Sequence, residues 1–207
     1  MAQHYETGGR AAAELVLRLG RAAIGEGFVE ALTTAQWTAL RYFSRANRFS
    51  RTVSAFAAYH ATTRGTASQT VKRLIKQGYL ARTASDTDGR SARVDLTDKA
   101  EVILARDPFE EVVASAAALP AHLRGQLVKA IQRMLGHVSG QRSRPSFGIC
   151  RFCAHLRHDE GCGNSSSTHQ CGLLNEPLSA EETEQICISF KPGKTSRVKR
   201  ISAGGPA

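Results

Sequence analysis

The chain has 207 residues, of which 42% are hydrophobic and 22% charged, values typical of a folded globular protein with one main core and room for a small appendage. No apolar run has the length needed to cross a bilayer, and the N-terminal MAQHYETGGR lacks the basic and apolar regions of a secretory signal. We therefore expect a cytoplasmic protein with no membrane partner.

The formal net charge of +10 is concentrated in one part of the chain. Residues 41–93 carry 11 Lys and Arg against two acidic residues, Asp86 and Asp88, whereas the rest of the chain has 17 basic and 16 acidic residues. Affinity for a phosphate backbone grows with the number of positive charges on one surface. The distribution therefore favours a nucleic-acid partner over a generally basic, soluble surface.

The spacing of apolar side chains predicts four helices in the first half of the chain. The first spans residues 10–25, and the second follows Thr33 or Thr34 as its N-cap. A short third helix begins at Thr52 or Ser54. The fourth has an apolar stripe and ends at a glycine: Ala67, Val71, Leu74, Ile75 and Gly78.

The second half predicts a hairpin and further helices. LARTAS and ARVDLT alternate apolar and polar residues around the turn sequence DTDGR. Thr97 or Asp98 caps a helical region that Pro108 interrupts, and a last amphipathic helix follows Pro120. The predicted fold is thus mainly α with a small β-hairpin. Its predicted segments are a helical domain at 1–140, a cysteine-rich extension at 141–195 and a basic tail at 196–207.

A short helix, a tight turn, a polar second helix and a hairpin form, in this order, a winged helix-turn-helix. The second helix of such a unit can enter the major groove, where Gln pairs with adenine, Arg with guanine, and Ser or Thr with phosphates or thymine methyls. The residues predicted to contact DNA lie on its polar face: Arg64, Thr66, Ser68, Gln69, Thr70, Lys72, Arg73 and Lys76. A solvated amphipathic helix without a partner is the alternative interpretation of this helix alone.

DTDGRSARVDLT resembles the wing of the MarR family of transcriptional regulators, in which an acidic residue, one spacer and an arginine precede V-x-L-T. Here Asp88 and Arg90 occupy the first positions, and Arg93 is a further predicted DNA contact of the wing. An arginine at the wing tip can reach a narrow minor groove, where negative potential is focused. LTTAQWTALRYF and TASQTVKRLIKQGYLAR resemble the family's second helix and its recognition helix with the first wing strand, so the resemblance covers residues 10 to 138.

The resemblance implies a two-fold symmetric homodimer whose recognition helices and wings bind a pseudo-palindromic, double-stranded operator at the nucleoid, usually as a repressor. It also implies a possible small-molecule effector that binds between the DNA-binding lobe and the dimer helices. Trp37, Tyr42 and Phe43 either line such a pocket or pack in the core. The core is the commoner place for aromatic side chains on a helix, and we favour it.

All five cysteines lie between residues 150 and 187, in a segment that begins FGICRFCAHLRH. Four have the spacing C-x2-C-x17-C-x15-C, which fits a tetrahedral thiolate site: Cys150, Cys153, Cys171 and Cys187. Cys162 is left over, and three histidines are alternative ligands: His155, His158 and His169. Apolar residues are sparse, so a structural zinc ion is predicted to hold the segment together. An iron–sulfur cluster and metal-free redox-active thiols are the alternatives.

Two other function classes compete with a specific regulator. One is an enzyme or redox protein that uses the C-x-x-C, and the other is a nonspecific architectural DNA-binding protein. The chain has no βαβ pattern near the C-x-x-C, no nucleophile–base constellation and no glycine-rich nucleotide loop. We therefore expect that it is not an enzyme and has no catalytic residues.

Overall fold

The computed structural model describes five stretches of the chain: residues 8–22, 32–84, 92–141, 145–158 and 169–193. The chain divides into two units, Met1–Pro145 and Ser146–Ala207. We call these unit 1 and unit 2. Among the described residues, no helix combines the length and the apolar character that crossing a membrane requires.

The described part of unit 1 consists of seven helices and one antiparallel hairpin. In chain order these elements are α1 (Gly9–Ala22), α2 (Thr34–Arg45), α3 (Val53–Tyr59), α4 (Arg64–Lys76), β1 (Leu80–Ala84), β2 (Ala92–Leu96), α5 (Asp98–Leu104), α6 (Phe109–Ala117) and α7 (Ala121–Gln141). The four helices and the hairpin predicted before residue 97 are therefore confirmed. The turn DTDGR lies outside the described residues.

Threonine side chains begin three successive helices. The Thr33 hydroxyl accepts a hydrogen bond from the backbone N–H of Gln36. The Gln36 side-chain oxygen in turn accepts the backbone N–H of Thr33 at 2.9 Å, which completes a capping box. The hydroxyls of Thr52 and Thr63 accept the backbone N–H groups of Ala55 and Thr66, and so cap α3 and α4. Gly78 has a φ of 77°, the left-handed conformation that glycine adopts without a steric penalty, and it follows the end of α4.

The core of unit 1 lies among α2, α3, α4 and the hairpin. Trp37, Tyr42 and Phe43 are 3%, 2% and 0% exposed, so the core interpretation of these aromatic residues is confirmed. The other buried apolar side chains around them include Leu32, Leu40, Phe56, Val71, Leu74, Leu80, Val94 and Ile103. This core fixes the orientation of α4, because Ala67, Val71 and Leu74 are the side chains that α4 buries.

His60 is a polar residue at the edge of this core. Its ring contacts Phe56 and Tyr59, each with 5.0 Å between ring centroids. Its Nε2 atom is buried and has no hydrogen-bond partner among the described residues. Burial lowers the pKa of His60 from 6.5 to about 4, because the charged imidazolium would lose its hydration there.

Thr97 is the N-cap residue of α5, as predicted, but its side chain makes no capping hydrogen bond. The Thr97 hydroxyl instead donates to the carbonyl oxygen of Gly78 at 2.7 Å, and α5 begins without a side-chain cap. The strand register explains the difference. Leu96 pairs with Leu80, which brings Thr97 beside the chain that leaves α4. The hydroxyl therefore joins the end of the hairpin to the end of α4.

Pro108 interrupts the helical region after the hairpin, as predicted, and a buried ion pair lies at the break. Arg41 on α2 donates from Nε to Asp107 Oδ2 at 2.6 Å, and a second nitrogen of the same guanidinium bonds Oδ1. Asp107 Oδ1 also accepts the backbone N–H of Phe109 at 2.9 Å, and the guanidinium lies 4.9 Å from the ring centroid of Phe109. The pair therefore ties α2 to the start of α6.

Helices α1, α6 and α7 leave most of their apolar side chains exposed. Neither α1 nor α6 has a buried residue, and among the described side chains of α7 only Ile131 is even half-buried. The large exposed apolar residues of these helices are Leu15, Val16, Leu17, Leu19, Val113, Leu123, Leu127, Val128, Met134, Leu135 and Val138. These three helices thus present apolar side chains that the described residues of the chain do not cover.

Unit 2 is built from short strands. Its elements are β3 (Gly148–Ile149), a 3-10 turn (Cys150–Phe152), β4 (Leu156–His158), β5 (His169–Cys171), β6 (Glu176–Leu178), α8 (Ala180–Thr183) and β7 (Ile186–Cys187). Strands β4, β5 and β6 form an antiparallel sheet in that order, and β3 pairs with β7. Ser179 and Glu182 form a capping box that begins α8.

Candidate nucleic-acid interface

The polar face of α4 is exposed, as an interface requires. Ala67, Val71 and Leu74 point into the core, so the residues between them face outward. Six of the predicted contact residues are exposed: Arg64, Thr66, Gln69, Lys72, Arg73 and Lys76. Ser68 and Thr70 are half-buried. The helix contains no acidic residue, so no carboxylate on α4 itself opposes a phosphate.

Two threonines of this face already have partners within the helix. Thr66 Oγ1 lies 2.8 Å from the hydroxyl of the cap residue Thr63, and Thr70 Oγ1 donates to the Thr66 carbonyl at 3.2 Å. A hydroxyl that donates in this way keeps an acceptor lone pair but has no proton left for a phosphate. The amide of Gln69 and the cations of α4 are therefore better suited to contact DNA than the threonines.

An open groove of about 490 Å³ lies between the start of α2 and the outer face of α4. Its lining combines residues of both helices: Thr33, Ala35, Gln36, Gln69, Thr70, Lys72, Arg73 and Lys76. The lining has three cations and no carboxylate. The first turn of α2 contributes the positive end of the helix dipole. This combination suits an anion such as a phosphate of a nucleic-acid backbone.

The structure describes the two strands of the wing but not the residues between them. Asp88 and Arg90, the predicted residues of the wing tip, lie outside the described residues. Arg93 is described, and its Nε donates to Asp95 Oδ2 at 2.8 Å. Arg93 therefore has a structural contact that the sequence analysis did not include, and its role at DNA stays a prediction.

Asp95 is the centre of a small polar cluster at the base of the wing. Arg51 Nη1 donates to it at 3.0 Å, and the hydroxyl of Thr83 on the neighbouring strand also donates to it. Burial alone would raise the pKa of Asp95, but the hydrogen bonds from Thr83, Arg93 and Arg51 outweigh burial and leave the pKa below its ordinary value. The cluster therefore fixes the wing strands to residue 51, and the Val94 N–H adds a bond of 2.8 Å to the Arg51 carbonyl.

The roles of Arg51 and Asp95 were not predicted from the sequence, although the sequence contains a signal for part of the cluster. Arg93 and Asp95 are two apart on a strand and so share one face, where Thr83 is the cross-strand partner of Arg93. The participation of Arg51 depends on tertiary structure. Arg82 on β1 is a further exposed cation beside the predicted set.

Comparison with known proteins bears on this arrangement. Residues 32–91 match the sequence model of the MarR family. The matched segment contains α2, α3, α4 and β1. This MarR-like segment holds all of the predicted contact residues except Arg93. No curated protein matches the chain at a significant level.

Solved structures share the MarR-like fold at low sequence identity. MepR of Staphylococcus aureus in complex with DNA is 16% identical, with a TM-score of 0.53, over 65% of this chain and 99% of that one. A MarR/EmrR family transcriptional regulator of Acinetobacter sp. ADP1 is 15% identical, with a TM-score of 0.52, over 63% and 96%. A MarR protein of Peptoclostridium difficile is 17% identical, with a TM-score of 0.51, over 68% and 95%. At these identities the likeness establishes the fold.

The four predicted ligand cysteines of unit 2 are all described and carry thiols rather than disulfides. Burial raises the pKa of Cys150 to about 12, and electrostatic repulsion from the Cys187, Cys153 and Cys171 thiolates adds to this effect. All four thiols therefore lie in one electrostatic environment. As they stand, however, no three His, Cys, Asp or Glu side chains of the described residues form a group that could hold a metal ion.

The remaining candidate metal ligands of unit 2 are the fifth cysteine and three histidines. Cys162 lies outside the described residues. His158 and His169 are cross-strand partners with 5.0 Å between their ring centroids. His155 contributes its carbonyl oxygen, which accepts the Gly172 N–H at 2.7 Å.

Proposed function

We propose that the chain is a DNA-binding transcriptional regulator of the MarR type, which binds a pseudo-palindromic operator as a homodimer and acts as a repressor. The observation that carries this proposal is the outward face of α4, which has exposed Gln and Arg side chains, no carboxylate and a cationic groove beside it. A solvated helix without a partner has no need of such a groove. The MarR family match of residues 32–91 adds independent support.

In this proposal α4 enters the major groove and its residues have two roles. Gln69 and Arg73 contact base edges, because amide and guanidinium groups form bidentate pairs with adenine and guanine. Lys72 and Lys76 bind phosphates along the groove between α2 and α4. Arg90 at the wing tip enters the minor groove, with Asp88 and Arg93 supporting the wing. The solved complex of MepR with DNA supports DNA as the partner of this fold.

The apolar surface of α1, α6 and α7 supports the homodimer. The occupant that we propose is a second copy of the chain, because exposed apolar side chains run along the whole of α7 from Leu123 to Val138. Sedimentation of the wild-type chain should give a dimer. Leu135→Asp should give monomers, and Leu173→Asp, an equally polar change at an exposed leucine of unit 2, should leave the dimer intact.

A further proposed element is an effector that changes operator occupancy. The described aromatic residues of α2 are buried in the core of unit 1, and the proposal names no effector-binding residue. The function is one of binding rather than catalysis.

The proposed function can be tested by the binding of fluorescent genomic fragments to the full chain. A few strong sites should emerge, and Gln69→Ala should weaken binding to them by about 1–3 kcal/mol while changing the preferred sequence. Lys72→Ala should weaken binding to all fragments, since a phosphate contact carries no sequence information.

Lys191→Ala is the matched control for Lys72→Ala. It removes the same charge at an exposed position of unit 2, so it should leave DNA affinity unchanged. Equal binding to every fragment by the wild-type chain would contradict a specific regulator and support the architectural alternative. Equal losses from Lys72→Ala and Lys191→Ala would remove α4 from the interface.

A further inference from the structure

Backbone pairing in unit 2 brings together four cysteines that are far apart in sequence. Gly148 pairs with Cys187, and Cys150, the first residue of the 3-10 turn after β3, donates its N–H to the Gln185 carbonyl at 3.1 Å. Cys150 and Cys187 therefore both lie at the β3–β7 strand pair. Two thiolates at the same strand pair can turn toward one ion between them.

The other two cysteines are attached to this pair by hydrogen bonds of the backbone. The Cys153 N–H donates to the Cys150 carbonyl at 2.9 Å, so the C-x-x-C forms a single turn. The Leu156 N–H donates to the Cys153 carbonyl at 3.2 Å, and Leu156 pairs with Cys171 across β4 and β5. Cys171 therefore lies directly across from Leu156, which is three residues after the C-x-x-C turn.

The sulfur of Cys153 also accepts a hydrogen bond. The Lys191 N–H donates to Cys153 Sγ at 3.5 Å, and the bridge between Cys153 and Pro192 holds this donor in place. This hydrogen bond fixes the position of the Cys153 sulfur beside the chain at Lys191.

The small core of unit 2 gives a physical reason for a metal. Among its described residues only Cys150, Leu178, Thr183, Ile186 and Cys187 are buried, and two of these five are cysteines. Domains this small usually need a disulfide or a metal in addition to the core. The four described cysteines carry thiols and form no disulfide, so a bound metal is the other way in which these cysteines can stabilise unit 2.

We propose that Cys150, Cys153, Cys171 and Cys187 bind one zinc ion that holds unit 2 together. Four thiolates, two of them in a C-x-x-C turn, are a donor set that zinc binds tetrahedrally, with zinc–sulfur bonds of about 2.3 Å. Ligation requires the four side chains to turn toward a common centre, and rotation about the Cα–Cβ bond supplies this movement. Because the thiols belong to the core, binding of the ion and folding of unit 2 are coupled. The inference is independent of the proposed DNA-binding function.

The first test is the metal content and visible spectrum of the full chain, purified without oxygen and without an affinity metal. We expect about one zinc ion per chain, no colour, and release of that zinc by a mercurial reagent after about four thiolates have reacted. A brown iron–sulfide chromophore, a metal-free chain with reactive thiols, or disulfides among these cysteines would each overturn the proposal. The result does not depend on whether any variant folds.

The ligand assignment is tested by comparing two serine variants after dialysis against a weak chelator. Cys171→Ser should lose most of its zinc, and Cys162→Ser, the matched control at the fifth cysteine, should keep it. Loss of zinc from both variants alike would overturn the assignment, and so would its retention by both. Removal of zinc from the wild-type chain should also expose the segment after Ser146 to proteolysis and leave the fluorescence of Trp37 unchanged.

Discussion

In unit 1, side chains such as Leu40, Phe43 and Leu74 are completely buried, whereas unit 2 buries five described residues and two of them are cysteines. The stability of unit 1 therefore comes mainly from apolar area removed from water, which contributes about 25 cal/mol per Å² to the free energy of unfolding. The strands of unit 2 are two or three residues long and depend on short-range hydrogen bonds. Small β units lack the area for a sufficient apolar core, which makes their stability sensitive to single contacts.

The two units can be followed separately in one molecule. Trp37 is the only tryptophan and is buried in unit 1, while all five cysteines belong to unit 2. Tryptophan fluorescence therefore reports the unfolding of unit 1, and the labelling rate of the thiols reports the opening of unit 2. The following predictions use both signals.

The largest expected effect is that of Leu74→Ala, which removes a side chain that is 0% exposed. We expect the free energy of unfolding of unit 1 to fall by about 2–5 kcal/mol, because a cavity is left in the core. Urea titration followed by Trp37 fluorescence measures this loss. Leu173→Ala, at a leucine that is 50% exposed, is the control and should change neither signal. A faster thiol labelling in Leu74→Ala would show that the units are not independent.

The converse change in unit 2 is Gly148→Ala. An added Cβ at this position would lie 2.7 Å from ring carbons of Phe190, so either the Phe190 ring or the β3–β7 pair must shift. We expect a loss of about 1–3 kcal/mol, the usual effect of overpacking, measured as faster thiol labelling with Trp37 fluorescence unchanged. Gly125→Ala in α7, where an added Cβ meets nothing within 4 Å, is the control. Equal labelling rates in the two variants would refute the close packing at Gly148.

The smallest effect is a dependence of the stability of unit 1 on pH. The folded-state pKa of His60 is about 4, below its ordinary value of 6.5, so the unfolded chain takes up a proton first as the pH falls. The stability that this residue contributes is complete above pH 6.5 and is lost as the pH falls toward 4. Between pH 7 and pH 5 we expect a loss of at most about 2 kcal/mol. Because His60→Phe keeps an aromatic ring and removes the titration, its unfolding should be less dependent on pH. Parallel curves for the two proteins would remove His60 as the cause.

Local sequence signals predicted most of unit 1. The caps at Thr33 and Thr52, the apolar stripe of α4 and the break at Pro108 are all short-range features, and the structure has each of them. Thr97 was predicted correctly as the N-cap position of α5, but the sequence does not show which of two possible partners its hydroxyl bonds. Only the pairing of β1 with β2 decides for the Gly78 carbonyl.

The missed features depend on contacts between distant residues. Arg41 and Asp107 are 66 positions apart, and nothing in either neighbourhood marks them as partners. Asp95 likewise joins Arg51 across 44 positions. In the candidate interface, the exposed residues of α4 followed from its periodicity, whereas the groove beside it required the position of α2.

These ion pairs change the response of DNA binding to salt. Residues 41–93 contain eleven basic residues, but Arg41 is paired with Asp107, and Arg51 and Arg93 share the carboxylate of Asp95, which leaves at most eight cations outside these ion pairs to displace counterions from DNA. Each neutralised phosphate contributes about −0.9 to the slope of log K against log salt concentration, so this segment should contribute a slope no steeper than about −7 per chain. Asp95→Asn would remove the negative charge that Arg51 and Arg93 share and should steepen the slope. An acidic side chain at the base of the wing would thereby control how strongly the affinity of the proposed DNA complex depends on ionic strength.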